Sequence, residues 1–99
     1  MKPITFHPNV QRDISDALEG YSGISKKLED EIWEEFQRAL LTIQKTPSQH
    51  KDSYTGLNRY NLVQFPYNIL FKEYEDRIRI QVFRHNKRRE TYGSYRKLS

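Results

Sequence analysis

The feature that most constrains this 99-residue chain is an alternating stretch near its C-terminal end. There Ile78, Ile80 and Val82 are separated by arginine and glutamine side chains. A period of two places successive side chains on opposite faces of a β-strand. We therefore predict a strand that carries these three aliphatic residues on one buried face.

Two further strands are predicted before it. Residues 67–74 are rich in aromatic and β-branched side chains, and the polar pair Glu75-Asp76 then suits a hairpin turn. Residues 57–65 supply an earlier strand, closed by Pro66, which restricts Phe65 to extended backbone. Three consecutive strands with short connections predict an antiparallel meander.

The N-terminal half predicts one short strand and two helices. Residues 2–7 form the strand, and Asn9 is a candidate N-cap for a first helix that continues to about Glu19 and ends at Gly20. The second helix begins after a cap at Ser22 or Ser25 and must stop before Pro47. Its apolar stripe consists of Ile24, Leu28, Ile32, Phe36, Leu40 and Ile43. The opposite face carries alternating charges, including the favourable helical pair Glu34 and Arg38.

These elements predict a single α+β domain over residues 1–99, with a two-helix hairpin packed on a small, mainly antiparallel sheet. The aromatic content of 13% and the clear periodicities argue against disorder. The chain has no cysteine, which excludes disulfide and thiolate chemistry. No signal segment and no apolar run of about 20 residues is present, so we expect a cytoplasmic protein that does not enter the membrane.

A formal net charge of +4 favours an anionic partner. We expect no metal and no other cofactor, because the carboxylates of the second helix have neither histidine nor cysteine among them. The strongest functional feature is a basic cluster at the end of the last strand, followed by two tyrosines: Arg79, Arg84, His85, Lys87, Arg88, Arg89, Tyr92 and Tyr95. Cations interleaved with aromatic rings suit RNA, although a solvated basic tail has the same composition. A third interpretation is that the cluster docks an acidic segment of a protein partner.

Four short motifs carry a resemblance to a known family: Leu57-Asn58-Arg59, Phe65-Pro66-Tyr67, Glu75-Asp76-Arg77-Ile78 and His85-Asn86-Lys87-Arg88. In this order and without gaps they resemble the RelE/ParE superfamily of bacterial toxins, most closely its ParE branch. The chain departs from the family pattern at Asn58, where many relatives carry a second basic residue. It also lacks a proline after the basic cluster.

The resemblance implies the toxin component of a type II toxin–antitoxin, or plasmid-stabilisation, system. Its partners would be a cognate antitoxin, held in a groove and on the helical hairpin, and a cellular target. A ParE-like toxin inhibits DNA gyrase. The alternative, similar to RelE, is a metal-independent endoribonuclease that cleaves ribosome-bound mRNA. A third hypothesis is that the chain is a degraded relative of these toxins that has lost its toxicity.

If the chain is a ribonuclease, the candidate catalytic residues are His85, Arg88 and Tyr92. The pKa of a histidine near 6.5 suits acid–base catalysis, an arginine fork suits phosphate, and Tyr92 has a position similar to that of a tyrosine in RelE-type ribonucleases. The candidate residues for binding the target or nucleic acid are Arg59, Arg84, Lys87, Arg89 and Tyr95.

Other conspicuous residues are interpreted as structural. Arg59 has an alternative role as a strand-edge arginine paired with a helix carboxylate, and the Phe65-Pro66-Tyr67 motif fits chain direction and ring packing. Trp33 is placed at the edge of the core, and His7 is placed at a strand end. His50 is interpreted as a surface histidine, although some ribonuclease relatives use a histidine in this region.

Overall fold

The computed structural model describes residues 1–47, 52 and 55–98. The elements are β1 (Ile4–Phe6), α1 (Val10–Ser22), α2 (Lys26–Lys45), β2 (Asn58–Asn61), β3 (Tyr67–Glu73) and β4 (Ile78–His85). The sheet has the order β1-β4-β3-β2, with β1 parallel to β4 and the other pairs antiparallel. The two helices pack on one face of this sheet, which confirms the predicted α+β class and the helical hairpin. We call this face the helix side and the opposite face the tail side.

The first helix is longer than predicted. Gly20 lies within α1, and the helix ends at Ser22, where the backbone N–H of Gly23 donates to the carbonyls of Glu19 and Tyr21. The predicted end at Gly20 was therefore wrong. A glycine inside a helix costs only about 1 kcal/mol relative to alanine. The extra turn contains Tyr21, whose ring packs edge-on against Phe65 at 5.2 Å between centroids.

The N-cap of the second helix is Ser25, one of the two predicted caps. Its hydroxyl accepts a hydrogen bond from the backbone N–H of Leu28 at 3.0 Å. It ends at Lys45, two residues before Pro47. Ile24 does not belong to its apolar stripe, since it precedes the helix and is 70% exposed.

A β-bulge changes the direction of the side chains in β4. Phe71 of β3 pairs with Ile80 and Leu70 pairs with Val82, so that Gln81 is an extra residue in β4. Ile80 packs in the main core on the helix side, whereas Val82 packs with Leu70 on the tail side. The prediction that Val82 shares a face with Ile78 and Ile80 was wrong. Alternation with a period of two assumes a regular strand, and an inserted residue moves the side chains after it to the opposite face.

Residues 86–98, which we call the tail, follow β4 and pack against the tail side of the sheet. They form consecutive turns, with the backbone N–H of Tyr92, Ser94 and Arg96 each bonded to the carbonyl three residues earlier. A short terminal helix, which the sequence left open, does not form in the described part of the tail.

Candidate functional site

A small cleft forms where the end of β4, the first helix and the tail meet. Its volume is about 150 Å³, and its walls include His85, Arg88, Tyr92, Asp16 and Tyr67. The three residues predicted as catalytic therefore line one cleft, although nothing in their sequence spacing required it. This volume is smaller than the roughly 300 Å³ at which typical small-molecule pockets begin.

His85 closes β4 and is oriented by two contacts. Its ring stands edge-on to that of Tyr67, with 5.1 Å between centroids. Its Nδ1 accepts from the backbone N–H of Lys87 at 3.0 Å. In the neutral ring the proton therefore resides on Nε2, which is left as a donor.

Arg88 and Tyr92 contact each other across the cleft. The guanidinium of Arg88 lies 4.9 Å from the centroid of the Tyr92 ring, within cation–π range. Burial raises the pKa of the neighbouring Tyr67, with further increases from Tyr21 and, less strongly, Asp16, and an opposing effect from Arg88. Tyr67 therefore stays protonated at neutral pH, and Asp16 and Arg88 place opposite charges near its hydroxyl.

Asp16 and Tyr67 were not among the predicted site residues. Tyr67 was interpreted as architecture, and its stacking on Phe83 at 4.9 Å between centroids confirms that role as well. Asp13, Asp16 and Ala17 all reach the cleft from α1. Their i, i+3, i+4 spacing on one helix face was the signal available in the sequence.

Arg84, predicted to bind a target, is directed into the protein. Its guanidinium donates to Asn68 Oδ1 at 3.0 Å and to the carbonyls of Glu90 at 2.7 Å and Tyr92 at 3.2 Å. Burial lowers its pKa, and the nearby Asp52 opposes that change. These contacts fasten the tail to β4, so Arg84 positions Tyr92.

Arg59 does not line the cleft. Its Nη1 donates to Asp52 Oδ1 at 3.3 Å, and its Nε donates to Asn61 Oδ1 at 2.9 Å. Asp52 is buried and also contacts Arg84 at 3.4 Å. The carboxylate partner of Arg59 thus comes from the loop before β2 rather than from a helix, as the structural alternative had assumed.

The remaining predicted target-binding residues are exposed. Lys87 and Arg89 lie on the turn after β4, and Tyr95 is 72% exposed with its ring edge-on to Tyr92. His50 lies outside the described residues. Within the described chain no three histidine, aspartate or glutamate side chains are arranged to hold a metal ion.

A second buried ion pair, between Arg96 and Asp13, was also not predicted. Arg96 donates to both carboxylate oxygens of Asp13, at 2.7 and 2.9 Å, and to the carbonyl of Gln81 at 3.0 Å. The same Asp13 accepts from the backbone N–H of Phe83 at 3.0 Å. β1 pairs only with the first three residues of β4, so the later backbone groups at this edge have no strand partner. Asp13 and Arg96 bond two of those groups, the N–H of Phe83 and the carbonyl of Gln81. It also ties the tail to α1 beside the cleft.

A second, larger concavity of about 520 Å³ lies on the helix side of the molecule. Apolar side chains of β1 and both helices line it, including Phe6, Ile14, Leu18, Trp33 and Leu40. Trp33 is 40% exposed and stacks on Phe36, which confirms its predicted place at the core edge. No helix in the described chain is long and apolar enough to cross a membrane.

No protein-family model and no curated protein matches this sequence. A solved structure does match: a chain from "Chromosomal ParDE TA system from P. aeruginosa". The TM-score is 0.74 at 13% sequence identity, and the match covers 86% of this chain and 96% of that one. Two helices on a four-stranded mixed sheet are thus shared with a ParDE chain. This shared fold agrees with the fold that the resemblance of the sequence motifs implied.

Proposed function

We propose that this chain is the toxin of a type II toxin–antitoxin pair and that it inhibits bacterial growth in the cytoplasm as a ParE-like inhibitor of DNA gyrase. The observation that carries the proposal is the shared fold with a ParDE chain over 86% of the residues. The ParE-like order of motifs from Leu57 to Arg88 supports the same branch.

The charge distribution of the cleft also supports binding over catalysis. Arg84, which lines the cleft, and Arg96, which lies beside it, have their guanidinium groups occupied inside the protein. Arg88 is then the cation that a bound phosphate could meet, and the carboxylate of Asp16 on the same wall opposes an anion. Stabilising a phosphorane-like transition state needs fixed positive charge, which this cleft supplies sparingly.

A RelE-like mRNA endoribonuclease is the second candidate, and one observation favours it. His85, Arg88 and Tyr92 line a single cleft, and His85 presents a protonated Nε2. That is the set of groups that metal-independent RNA cleavage requires: a proton donor or acceptor, a phosphate-binding cation and a phenol.

The antitoxin would occupy the apolar groove on the helix side. Exposed aromatic and aliphatic side chains in a concave surface are the usual anchors of an inserted helix or strand. Trp33→Ala is expected to weaken the rescue of growth by the co-expressed cognate antitoxin and to leave toxicity intact. Unchanged rescue would place the antitoxin elsewhere.

The two targets are separated by inducible expression in bacteria with parallel pulse labelling of DNA and protein synthesis. Under the gyrase proposal DNA synthesis falls first, and the purified protein blocks gyrase supercoiling. Arg88→Ala then weakens inhibition, whereas His85→Gln and Tyr92→Phe retain it within a few fold, because no proton is transferred.

The ribonuclease predicts the opposite pattern. Protein synthesis falls first, ribosome-bound mRNA is cut, and His85→Gln and Tyr92→Phe each lose about 100-fold or more in cleavage rate. Arg38→Ala on the exposed face of α2 is the matched control for Arg88→Ala. Unchanged growth on expression of the folded protein would overturn the toxin proposal itself.

A further inference from the structure

A second positively charged surface lies on the tail side, far from the cleft. Lys72 of β3 and Arg79 of β4 are directly paired across the two strands. Their neighbours Phe71, Ile78 and Ile80 pack on the helix side, so both cations point to the tail side. Like charges in this arrangement destabilise a sheet, and fold stability therefore does not explain the pair.

The surface continues onto the tail. Arg79 Nε donates to Gln81 Oε1 at 3.3 Å, and Gln81 Nε2 donates to the carbonyls of Arg96 at 3.2 Å and Lys97 at 2.8 Å. The Gln81 side chain thus connects Arg79 to the backbone of Lys97, whose own side chain is exposed. Among the described residues, no carboxylate forms an ion pair with Lys72, Arg79 or Lys97.

The field of this surface affects a nearby histidine. The pKa of His7, which follows β1, is lowered first by burial and then by the charges of Arg96 and Arg79, with Asp13 opposing them. Arg79 therefore acts electrostatically on His7, which makes this histidine a reporter of the charge at this end of β4.

We propose that Lys72, Arg79 and Lys97 form a binding surface for the phosphate backbone of a nucleic-acid strand. It is separate from the cleft, because Arg79 precedes His85 by six residues of one strand, roughly 18–20 Å. A peptide partner would need apolar anchors, and the exposed rings of Phe6 and Trp33 lie in the groove on the helix side. Phosphate contacts need only charge on an accessible, flat surface.

The test is the binding of a fluorescent 12-nucleotide RNA, and of the DNA of the same sequence, to the full chain at several salt concentrations. Lys72→Ala/Arg79→Ala is expected to weaken binding at least 10-fold and to reduce the slope of log K against log salt by about 1.4, or 0.7 for each lost contact. Arg12→Ala/Lys27→Ala removes the same charge from exposed helix positions and is expected to change binding less than 3-fold.

Lys72→Glu is a second variant that separates binding from folding. It turns the like-charge pair into an opposite-charge pair, so its melting temperature should equal or exceed that of the unmodified protein while binding is lost. The His7 imidazole signals report the site directly by NMR: RNA should raise the pKa of His7, and Arg79→Ala should raise it in the free protein.

Several outcomes would overturn the proposal. Equal losses in the surface and helix variants would mean that only net charge matters. Preferential binding of a polyglutamate peptide would assign the surface to an acidic protein segment, and retention of RNA binding in Lys72→Glu would remove it. None of these results depends on growth arrest, so the proposed toxin function is tested independently.

Discussion

The two faces of the sheet are stabilised by different physics. On the helix side, Ile69, Phe71, Ile80 and Phe83 pack against apolar residues of α1 and α2, in a cluster held by the hydrophobic effect. On the tail side the apolar cluster consists of Leu57, Leu70 and Val82, with Tyr92 packed against it.

Ion pairs and hydrogen bonds hold most of the tail side. The pairs of Asp13 with Arg96 and of Asp52 with Arg84 connect residues that are far apart in the chain, and Asp52 also pairs with the nearer Arg59. An apolar face tolerates exchange among side chains of similar volume, whereas a buried ion pair requires both partners. The positions of the predicted catalytic residues depend on these ion pairs and hydrogen bonds.

The largest expected effect lies on the helix side. Phe83 is 3% exposed and contacts Phe36 and Tyr67, so Phe83→Ala should lower the free energy of unfolding by about 4 kcal/mol. Val63→Ala, at a residue 85% exposed, is the control and should change it by less than about 0.5 kcal/mol. Urea denaturation measures both, and a small loss for Phe83→Ala would show that the helix side is not the main core.

Breaking the ion pair on the tail side should cost about 3 kcal/mol. Arg96→Ala leaves the carboxylate of Asp13 buried without its cation and leaves the carbonyl of Gln81 without its donor. Asp13→Ala/Arg96→Ala should cost clearly less than the sum of the two single losses, since the partners are coupled. Additive losses in denaturation experiments would contradict a direct pair.

Two glycines, one in the tail and one in α1, differ in the space around them. Gly93 has φ of 88°, and a Cβ there would lie 2.3 Å from a methyl carbon of Val82, so Gly93→Ala should destabilise by about 2 kcal/mol. Gly20 has open space around it inside α1, and Gly20→Ala should stabilise by about 0.5–1 kcal/mol. Thermal denaturation of both variants tests whether the tail is packed or loose; a neutral Gly93→Ala would favour a loose tail.

The smallest predicted effect is a difference in acid sensitivity. Burial raises the pKa of Asp52, but hydrogen bonds from Thr55 and the charges of Arg84 and Arg59 outweigh it and hold the pKa below the ordinary 3.8. The stabilisation from Asp52 is therefore complete above that ordinary value and is lost as the pH falls through the lower folded-state pKa. The free energy of unfolding of Asp52→Asn should lie below that of the unmodified protein at pH 7, and the two curves should converge once the pH falls below the folded-state pKa of Asp52. Parallel curves would assign the acid sensitivity to another group.

Prediction from the sequence was most accurate where local chemistry and periodicity act together. The Ser25 cap, the stop before Pro47 and the packing role of Phe65 and Tyr67 were all available from neighbouring residues. The boundary at Gly20 failed because a tertiary contact of Tyr21 extended the helix. The face of Val82 failed because an inserted Gln81 leaves no local signal.

The candidate site was predictable only in part. His85, Arg88 and Tyr92 were identified by residue type and family resemblance, and the structure brings them to one cleft. Asp16 was overlooked, and the internal role of Arg84 was not visible, because a charged side chain looks the same in sequence whether it faces solvent or a buried carboxylate.

The sequence alone determined the order of the elements, their approximate limits and the apolar face of β4 as far as Ile80, because these follow from periodicity and caps within a few residues. Only the tertiary structure decided which arginines are free. Arg96 meets Asp13 across 83 positions and Arg84 meets Asp52 across 32. Such pairings depend on how distant segments pack, and that packing also decides which cations remain for a target.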